Sequence, residues 1–164
     1  MADDGSRAGR RALLVAVTGL AAIPCARLIG HAPLDSGARG WLRLANVNDL
    51  VESQPKRFAV IVDRKDGWVV EKGAEIGAVW LFLQGGKPAA LSASCPHLGC
   101  GVQPTEGGFT CRCHDSKFDP IGKRVYGTAP RDLDALETRV TEGEVFVRFV
   151  RFRAGIKERV EVGG

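Results

Sequence analysis

Two short segments rich in cysteine and histidine constrain this chain more than any other feature. The first, Cys95–Cys100, reads Cys-Pro-His-Leu-Gly-Cys, and the second, Cys111–Ser116, reads Cys-Arg-Cys-His-Asp-Ser. We call them the first box and the second box. They hold four of the five cysteines and two of the three histidines in the chain. Thiols and imidazoles gathered so closely indicate two loops that bind an inorganic centre between them.

The spacing of these side chains fits two kinds of centre. Cys95 and His97 are separated by one proline, and Cys111 and His114 have the Cys-x-x-His spacing, so each pair can reach one centre. Two thiolates and two imidazoles can bind zinc tetrahedrally. The same side chains can hold a [2Fe–2S] cluster, with the thiolates on one iron and the imidazoles on the other. The residues by themselves leave both centres open.

The two boxes together resemble those of the Rieske iron–sulfur proteins, which read Cys-x-His-x-Gly-Cys and Cys-x-Cys-His-x-Ser. The resemblance extends over roughly residues 40–150. It implies a [2Fe–2S] cofactor with Cys95 and Cys111 on one iron and His97 and His114 on the other. Because neutral imidazoles replace thiolates, Rieske centres are reduced at higher potentials than all-cysteine ferredoxins.

Three further features around the cluster follow from this resemblance. A disulfide between Cys100 and Cys113 would brace the two boxes, and closing a loop of that length stabilises the fold by about 3 kcal/mol in the chain-entropy model. The segment Gly127-Thr128-Ala129-Pro130, here called the third loop, resembles the Gly-Pro-Ala-Pro loop that covers the cluster, with Thr128 in place of a proline. That replacement predicts a looser loop. Leu98 is expected at the exposed tip, where its apolar side chain can meet a hydrophobic quinol pocket.

Three residues near the second box bear on the reduction potential. Ser116 matches the family's serine that bonds a bridging sulfide, and hydrogen bonds to sulfur stabilise the reduced cluster. Phe118 stands where high-potential members carry a tyrosine that bonds a ligand sulfur. Asp115 replaces the usual glycine and adds a negative charge. These differences predict a potential in the lower part of the Rieske range, which favours menaquinol over ubiquinol as the electron donor.

The N-terminal sequence resembles an export signal, and we expect it to be retained as a membrane anchor. Arg10-Arg11 precede the apolar run Ala12–Ala26 and resemble a twin-arginine signal, whose pathway exports folded proteins with their cofactors. We expect residues 1–30 to remain as a transmembrane anchor and residues 31–40 to form a hinge. A disulfide needs an oxidising compartment. The Rieske domain is therefore expected on the outer, periplasmic side of a bacterial cytoplasmic membrane.

Beyond the hinge, the sequence pattern is that of β-structure. Branched and aromatic residues dominate segments 58–62, 78–83 and 145–150, and turn residues occupy 84–87 and 141–143. We predict an all-β fold: a small antiparallel Rieske domain over residues 41–150, with the cluster loops at one end. A short helix is expected over Asn48–Glu52, with Asn48 as its cap.

Residues 151–164 form a C-terminal tail beyond the last predicted strand. This tail weakly resembles that of some menaquinol-type Rieske subunits, and the resemblance implies that it packs on neighbouring subunits. The alternative is an ordinary solvated terminus.

Trp41, Trp68 and Trp80 are expected to pack in the core or at its edge. The net charge of +4 is modest, and the sequence has no stripe of basic residues with interleaved aromatics. Both features argue against nucleic-acid binding.

The resemblance implies a respiratory-chain role as the Rieske subunit of a quinol–cytochrome c oxidoreductase of the cytochrome bc type. Such a subunit takes an electron and a proton from quinol bound by cytochrome b, most directly at His114, and passes the electron to a c-type cytochrome. It has no catalytic residues of its own and does not turn over alone.

Three alternatives remain at this level. Cys95-Pro96-His97 and Phe118-Asp119-Pro120 also resemble the Rieske small subunit of periplasmic molybdenum oxidases of the arsenite oxidase type, in which the leader would be cleaved. The second alternative is a ferredoxin that serves a dioxygenase, and Cys100 and Cys113 argue against it because such ferredoxins usually lack the bracing cysteines. The third alternative is a zinc-binding module, which would be colourless.

Overall fold

The computed structural model describes residues 40–162, and these fold almost entirely into β-strands. The predicted signal and anchor at residues 1–30, and the hinge apart from Gly40, lie outside the described residues. Within the described part, no helix is long and apolar enough to cross a membrane. The strands are β1 Trp41–Asn46, β2 Lys56–Asp66, β3 Val69–Gln84, β4 Lys87–Ser92, β5 Gln103–Thr105, β6 Gly108–Cys111, β7 Ser116–Phe118, β8 Arg124–Tyr126, β9 Ala135–Thr141, β10 Glu144–Arg148, β11 Arg151–Phe152 and β12 Glu161–Val162.

The larger sheet has six antiparallel strands in the order β1-β10-β9-β4-β3-β2. Alternate residues of its strands point to opposite faces, so each strand contributes one row of side chains to a buried core. Val60, Val79, Leu81, Val145 and Val147 in this core are fully buried. This core forms the rigid body that carries the smaller sheet.

The smaller sheet has four strands in the order β5-β6-β7-β8, and it carries the cysteine–histidine segments. The first box forms the loop between β4 and β5, and the second box forms the turn between β6 and β7. A second buried cluster joins this sheet to the larger one through Trp80, Phe109 and Phe118, and it includes Cys95 and Cys111. Both boxes are therefore attached to packed strands at one end of the domain.

The predicted antiparallel all-β class is confirmed, and the predicted strand segments lie in β2, β3 and β10. The strand predicted over 145–150 is shorter than expected: β10 ends at Arg148, and the next residue, Phe149, is buried in the core. The short helix is instead a single 3₁₀ turn, Val47–Asp49. Its cap is Asn46 rather than Asn48, since the Asn46 side chain accepts a 3.0 Å hydrogen bond from the Asn48 N–H.

The three tryptophans have three different environments. Trp80 lies in the core, as expected, and Trp41 is half-buried on edge strand β1, where the Arg139 guanidinium lies 4.6 Å from its ring centre. The expectation for Trp68 is wrong, because its side chain is fully exposed. Trp68 occupies the tight turn between β2 and β3, which projects beyond the packed part of the sheet.

The C-terminal tail folds back onto the domain from which it emerges. Strands β11 and β12 pair antiparallel, and the tail's Arg159 donates a 2.6 Å hydrogen bond to the carbonyl oxygen of Ala135 at the start of β9. The described tail residues thus pack on their own domain rather than extending as a solvated terminus.

Candidate metal centre

The first box is a tight turn held by its own backbone. The Cys95 N–H donates to the Cys100 carbonyl at 2.7 Å, and the Gly99 N–H donates to the Cys95 carbonyl at 2.9 Å. This turn directs the Cys95 thiol inward, where the residue is 1% exposed, and leaves Leu98 at the tip, 63% exposed. The backbone N–H groups of His97 and Leu98 hydrogen-bond the Cys95 sulfur. Leu98 is exposed as the sequence predicted.

The second box is the turn of the β6–β7 hairpin, which begins at the paired residues Cys111 and Ser116. Cys111 is buried, whereas His114 is exposed. Asp115 adopts a φ of +50°, in the left-handed region that favours glycine. This backbone conformation explains why a glycine is usual at that position and why an aspartate, whose side chain tolerates it, can replace it.

The four cysteines of the boxes divide into a bonded pair and a free pair. Cys100 and Cys113 form a disulfide with a Cα–Cα distance of 6.6 Å, so the predicted pairing is confirmed. Cys95 and Cys111 are free and buried. The Cys111 sulfur lies within 4.8 Å of both disulfide sulfurs, but bonded sulfurs offer no thiolate to a metal. The available thiols are therefore Cys95 and Cys111.

The Cys95 thiol lies in an environment that disfavours negative charge. Burial, together with the neighbouring Cys111 thiol, raises the pKa of Cys95 from 9.0 to about 11, against the opposing effect of the backbone N–H groups. Such a buried thiol, neutral in the metal-free protein, ionises readily only when a metal cation binds beside it and stabilises the thiolate. Cys95 is thus suited to binding a metal rather than to free thiolate chemistry.

The two histidines lie together at the surface of the same end of the domain. Their ring centres are 4.6 Å apart and the rings are nearly perpendicular, at 86°. His97 is half-buried and His114 is exposed. The thiols are thus more deeply buried than the imidazoles, which matches a centre with chemically different sides.

The third loop lies against both boxes, and Gly127 permits the approach. Gly127 has a φ of +97°, and a Cβ added there would lie 2.5 Å from the Ser116 Cα and nearer still to the Asp115 carbonyl oxygen. Pro130, at the end of this loop, is half-buried. Only glycine fits this contact without moving the backbone.

Thr128 fastens the third loop rather than loosening it. Its hydroxyl lies 3.2 Å from the Nδ1 atom of His97, donates to the His114 carbonyl at 3.3 Å and lies 3.4 Å from the Ser116 hydroxyl. The expected looser loop is thus not what the structure shows. The proline of the usual motif makes no such bonds, since it has no hydroxyl.

Ser116 and Phe118 are both buried beneath the second box. The Ser116 hydroxyl oxygen accepts a 3.0 Å hydrogen bond from the Ala129 N–H, so its own proton remains available to an acceptor. Phe118 packs in the same cluster as Cys95 and Cys111. Phe118 therefore packs beneath the second box.

A buried ion pair next to the third loop was not foreseen from the sequence. Arg131 follows Pro130 and forms two hydrogen bonds to Asp134, of 3.0 and 2.8 Å. Their side chains are only 8% and 6% exposed. The i,i+3 spacing of opposite charges was the available signal, but that pattern is common on exposed surfaces and does not indicate burial.

Comparison with known proteins decides the family. The sequence profile of the Rieske [2Fe-2S] domain matches residues 40–137. The chain belongs to the Rieske [2Fe–2S] family. This Rieske protein is 30% identical over 118 residues to the menaquinol:cytochrome c reductase iron-sulfur subunit of Bacillus subtilis, covering 68% of the chain and 69% of that relative. It is 42% identical over 59 residues to a cytochrome b6-f complex iron-sulfur subunit of Synechococcus elongatus, covering 35% of the chain and 33% of that relative.

Two solved structures are among those similar to this Rieske protein. One is the plasma membrane Rieske protein PetC3 from Synechocystis PCC 6803, with 30% identity, a TM-score of 0.39, and coverage of 48% of this chain and 83% of that chain. The other is a hyperthermophilic respiratory Complex III, with 21% identity, a TM-score of 0.46, and coverage of 84% and 92%.

Family membership identifies the cofactor as a [2Fe–2S] cluster, and the side chains present fit it. The described residues supply two buried free thiols, from Cys95 and Cys111, and two neighbouring imidazoles, one half-buried and one exposed. The disulfide leaves no further cysteine in the boxes for an all-cysteine site. This donor set suits a cluster with mixed sulfur and nitrogen ligation.

Proposed function

We propose that this Rieske protein is the electron-transfer subunit of a quinol–cytochrome c oxidoreductase of the cytochrome bc type. In this proposal Cys95 and Cys111 bind one iron, and His97 and His114 bind the other. The observation that supports this proposal best is the difference in burial across the site: the two free thiols are buried, whereas His97 is half-buried and His114 is exposed. A partner can therefore approach the histidine side of the centre without unfolding any part of the domain.

The histidine side carries the groups that a quinol would meet. When bound, the cluster accepts and donates one electron. His114 is exposed and can form a hydrogen bond with a quinol oxygen and exchange a proton with it. Leu98, which follows His97 in the chain, is exposed and provides apolar contact for a quinone ring in a hydrophobic pocket. These residues contact and orient the donor, while the quinol pocket itself belongs to the cytochrome b subunit.

Menaquinol is the quinol that the site favours. Phe118 offers no hydroxyl to a ligand sulfur, and Asp115 adds negative charge, so both residues disfavour the more negative reduced centre. Menaquinol is the stronger reductant and can reduce a centre of lower potential. The similarity to a relative named as the iron-sulfur subunit of a menaquinol:cytochrome c reductase supports the same choice.

The proposed location is the outer side of a bacterial cytoplasmic membrane, with residues 1–30 as anchor and 31–40 as hinge. The disulfide between Cys100 and Cys113 supports an oxidising compartment. The twin arginines Arg10-Arg11 support export of a folded, cofactor-loaded protein. The partners in this location are cytochrome b and a c-type cytochrome.

The ligand assignment is tested with single-residue variants of the full chain. Replacement of any one of the four ligands should abolish the visible absorbance and the EPR signal of the reduced cluster. Cys25→Ser and His31→Ala are matched controls outside the boxes and should keep both signals. A ligand variant that retains the native EPR signal would refute its assignment. The ligand variants are Cys95→Ser, Cys111→Ser, His97→Ala and His114→Ala.

The host complex is tested by purification from native membranes in detergent. The expected result is that haem b and haem c spectra accompany the chain, and that a menaquinol analogue reduces the cluster. A molybdenum subunit in place of the haem proteins would overturn the proposed host in favour of a periplasmic molybdenum oxidase. Release of the chain without detergent would overturn the retained anchor.

A further inference from the structure

The C-terminal tail reaches the first box, although it lies beyond the residues matched by the family profile. The Gly155 N–H donates a 2.9 Å hydrogen bond to the carbonyl oxygen of Pro96. A Cβ added at Gly155 would lie 3.7 Å from the His97 carbonyl oxygen, so the tail backbone is in direct contact with the turn. The tail therefore touches the peptide that precedes a proposed ligand.

Two arginines hold the tail in this position. Arg131 donates a 2.6 Å hydrogen bond to the Ile156 carbonyl while it is paired with buried Asp134. From the tail, the Nε atom of Arg159 lies 3.3 Å from the same Asp134 carboxylate. Because Arg131 directly follows the third loop, one buried carboxylate connects that loop to the tail. This attachment is built from charge-assisted bonds and is stronger than a chance contact of a terminus.

The Pro96 carbonyl and the His97 N–H belong to one planar peptide group. Its oxygen accepts from the Gly155 N–H on the tail side, and its N–H is directed at the Cys95 sulfur. Since the group is rigid, fixing the oxygen also fixes the direction of the N–H. A hydrogen bond at the oxygen also polarises the peptide and strengthens the bond that its N–H donates.

We propose that the tail tunes the cluster: the Gly155 N–H holds the Pro96–His97 peptide so that its N–H bonds the Cys95 sulfur, which raises the reduction potential. Hydrogen bonds to ligand sulfurs stabilise the reduced, more negative cluster. Gly155 acts here as a positioning residue. The inference rests on the proposed role of Cys95 as a ligand.

The test compares midpoint potentials from EPR-monitored redox titrations of the cluster-loaded full chain. Gly155→Pro removes the N–H without changing charge, and a chain ending at Val150 removes the whole tail. Both should lower the equilibrium constant for reduction by up to about tenfold, which is about 59 mV for a one-electron couple. Both should also shift the EPR g values, because the ligand sulfur loses a hydrogen bond.

Two controls separate the hydrogen bond from other effects. The φ of +80° at Gly155 strains alanine and proline alike, but Gly155→Ala keeps the N–H, and no heavy atom lies closer to its added Cβ than 3.7 Å. Its potential should therefore stay nearer to that of the original chain than the potential of the proline variant does. The double variant Arg153→Gln, Lys157→Gln removes two positive charges but keeps the tail, and it should leave the g values unchanged. An equal shift in the alanine and proline variants would overturn the hydrogen-bond argument.

The outcomes distinguish this inference from the proposed function. A reduced original chain without a Rieske EPR signal would refute the ligand assignment. A normal signal in the original chain, with unchanged potential and g values in Gly155→Pro, would overturn the role of the tail and leave the proposed function intact. If the truncated chain loses its cluster, Gly155→Pro decides the result, since that variant keeps every side chain of the tail.

Discussion

Gly127→Ala tests whether close packing of the third loop against the second box stabilises the domain. A methyl group at this position would lie 2.5 Å from the Ser116 Cα and nearer to the Asp115 carbonyl oxygen. Neither neighbour is the flexible end of a side chain, so the backbone of one segment must move. Because Thr128 follows directly, this movement would also break its bonds to the two boxes.

The expected cost combines two terms. A residue with a Cβ at a φ of +97° is strained, and overpacking against backbone adds to that strain. Together they give about 3 kcal/mol. With a urea m-value of about 1.5 kcal/mol/M, the unfolding midpoint should fall by about 2 M.

The assay is urea unfolding of the cluster-loaded full chain, followed by circular dichroism and by loss of cluster absorbance. Gly107→Ala is the matched control, because no atom lies within 4 Å of its added Cβ. The control should unfold close to the original chain. If Gly127→Ala unfolds within about 0.5 kcal/mol of the control, which is the usual range for neutral surface changes, the argument from close packing is refuted.

Three other predictions follow from the site. Phe118→Tyr should raise the midpoint potential in a redox titration, because its hydroxyl can bond a ligand sulfur; an unchanged potential would mean that this position does not face the sulfur. The double variant Cys100→Ser, Cys113→Ser should lose about 3 kcal/mol of stability in urea unfolding, and an unchanged midpoint would show that the brace is dispensable. In the metal-free chain, burial raises the pKa of Cys95 from 9.0 to about 11, so its contribution to stability is present below pH 9 and is lost as the pH rises towards 11. Thiolate absorbance and unfolding measured across this range should show that loss, and Cys95→Ser should lack it.

The parts of this molecule that the sequence predicted correctly are those encoded by local pattern. Branched and aromatic residues placed strands over β2 and β3, because these residue types favour the extended backbone of a packed strand. The resemblance of the two boxes to the Rieske motif also predicted the pairing of Cys100 with Cys113 and the exposed position of Leu98. Each of these features depends on residues that are close in the chain or joined by a recognisable motif.

The features that were missed depend on contacts between distant segments. Nothing around Gly155 indicates that its N–H bonds a carbonyl in the first box, since a backbone donor has no sequence signature. Burial of Arg131 and Asp134 is likewise decided by the tail that covers them. Trp68 was misplaced for the converse reason: its type suggests burial, but the turn that carries it projects beyond the packed sheet.

Two parts of the chain are proposed to shift the reduction potential of one cluster in opposite directions. In the proposed site, Asp115 and Phe118 lower the stability of the reduced cluster, through added charge and through a missing hydroxyl. In the proposal made above, the tail opposes them by keeping the His97 N–H on the Cys95 sulfur. The side chain of Phe118 and the N–H of Gly155 are separate groups, so their effects on the potential should be separable. Phe118→Tyr should raise the potential and Gly155→Pro should lower it. If both residues acted only through general looseness of the loops, both variants would instead shift it in the same direction.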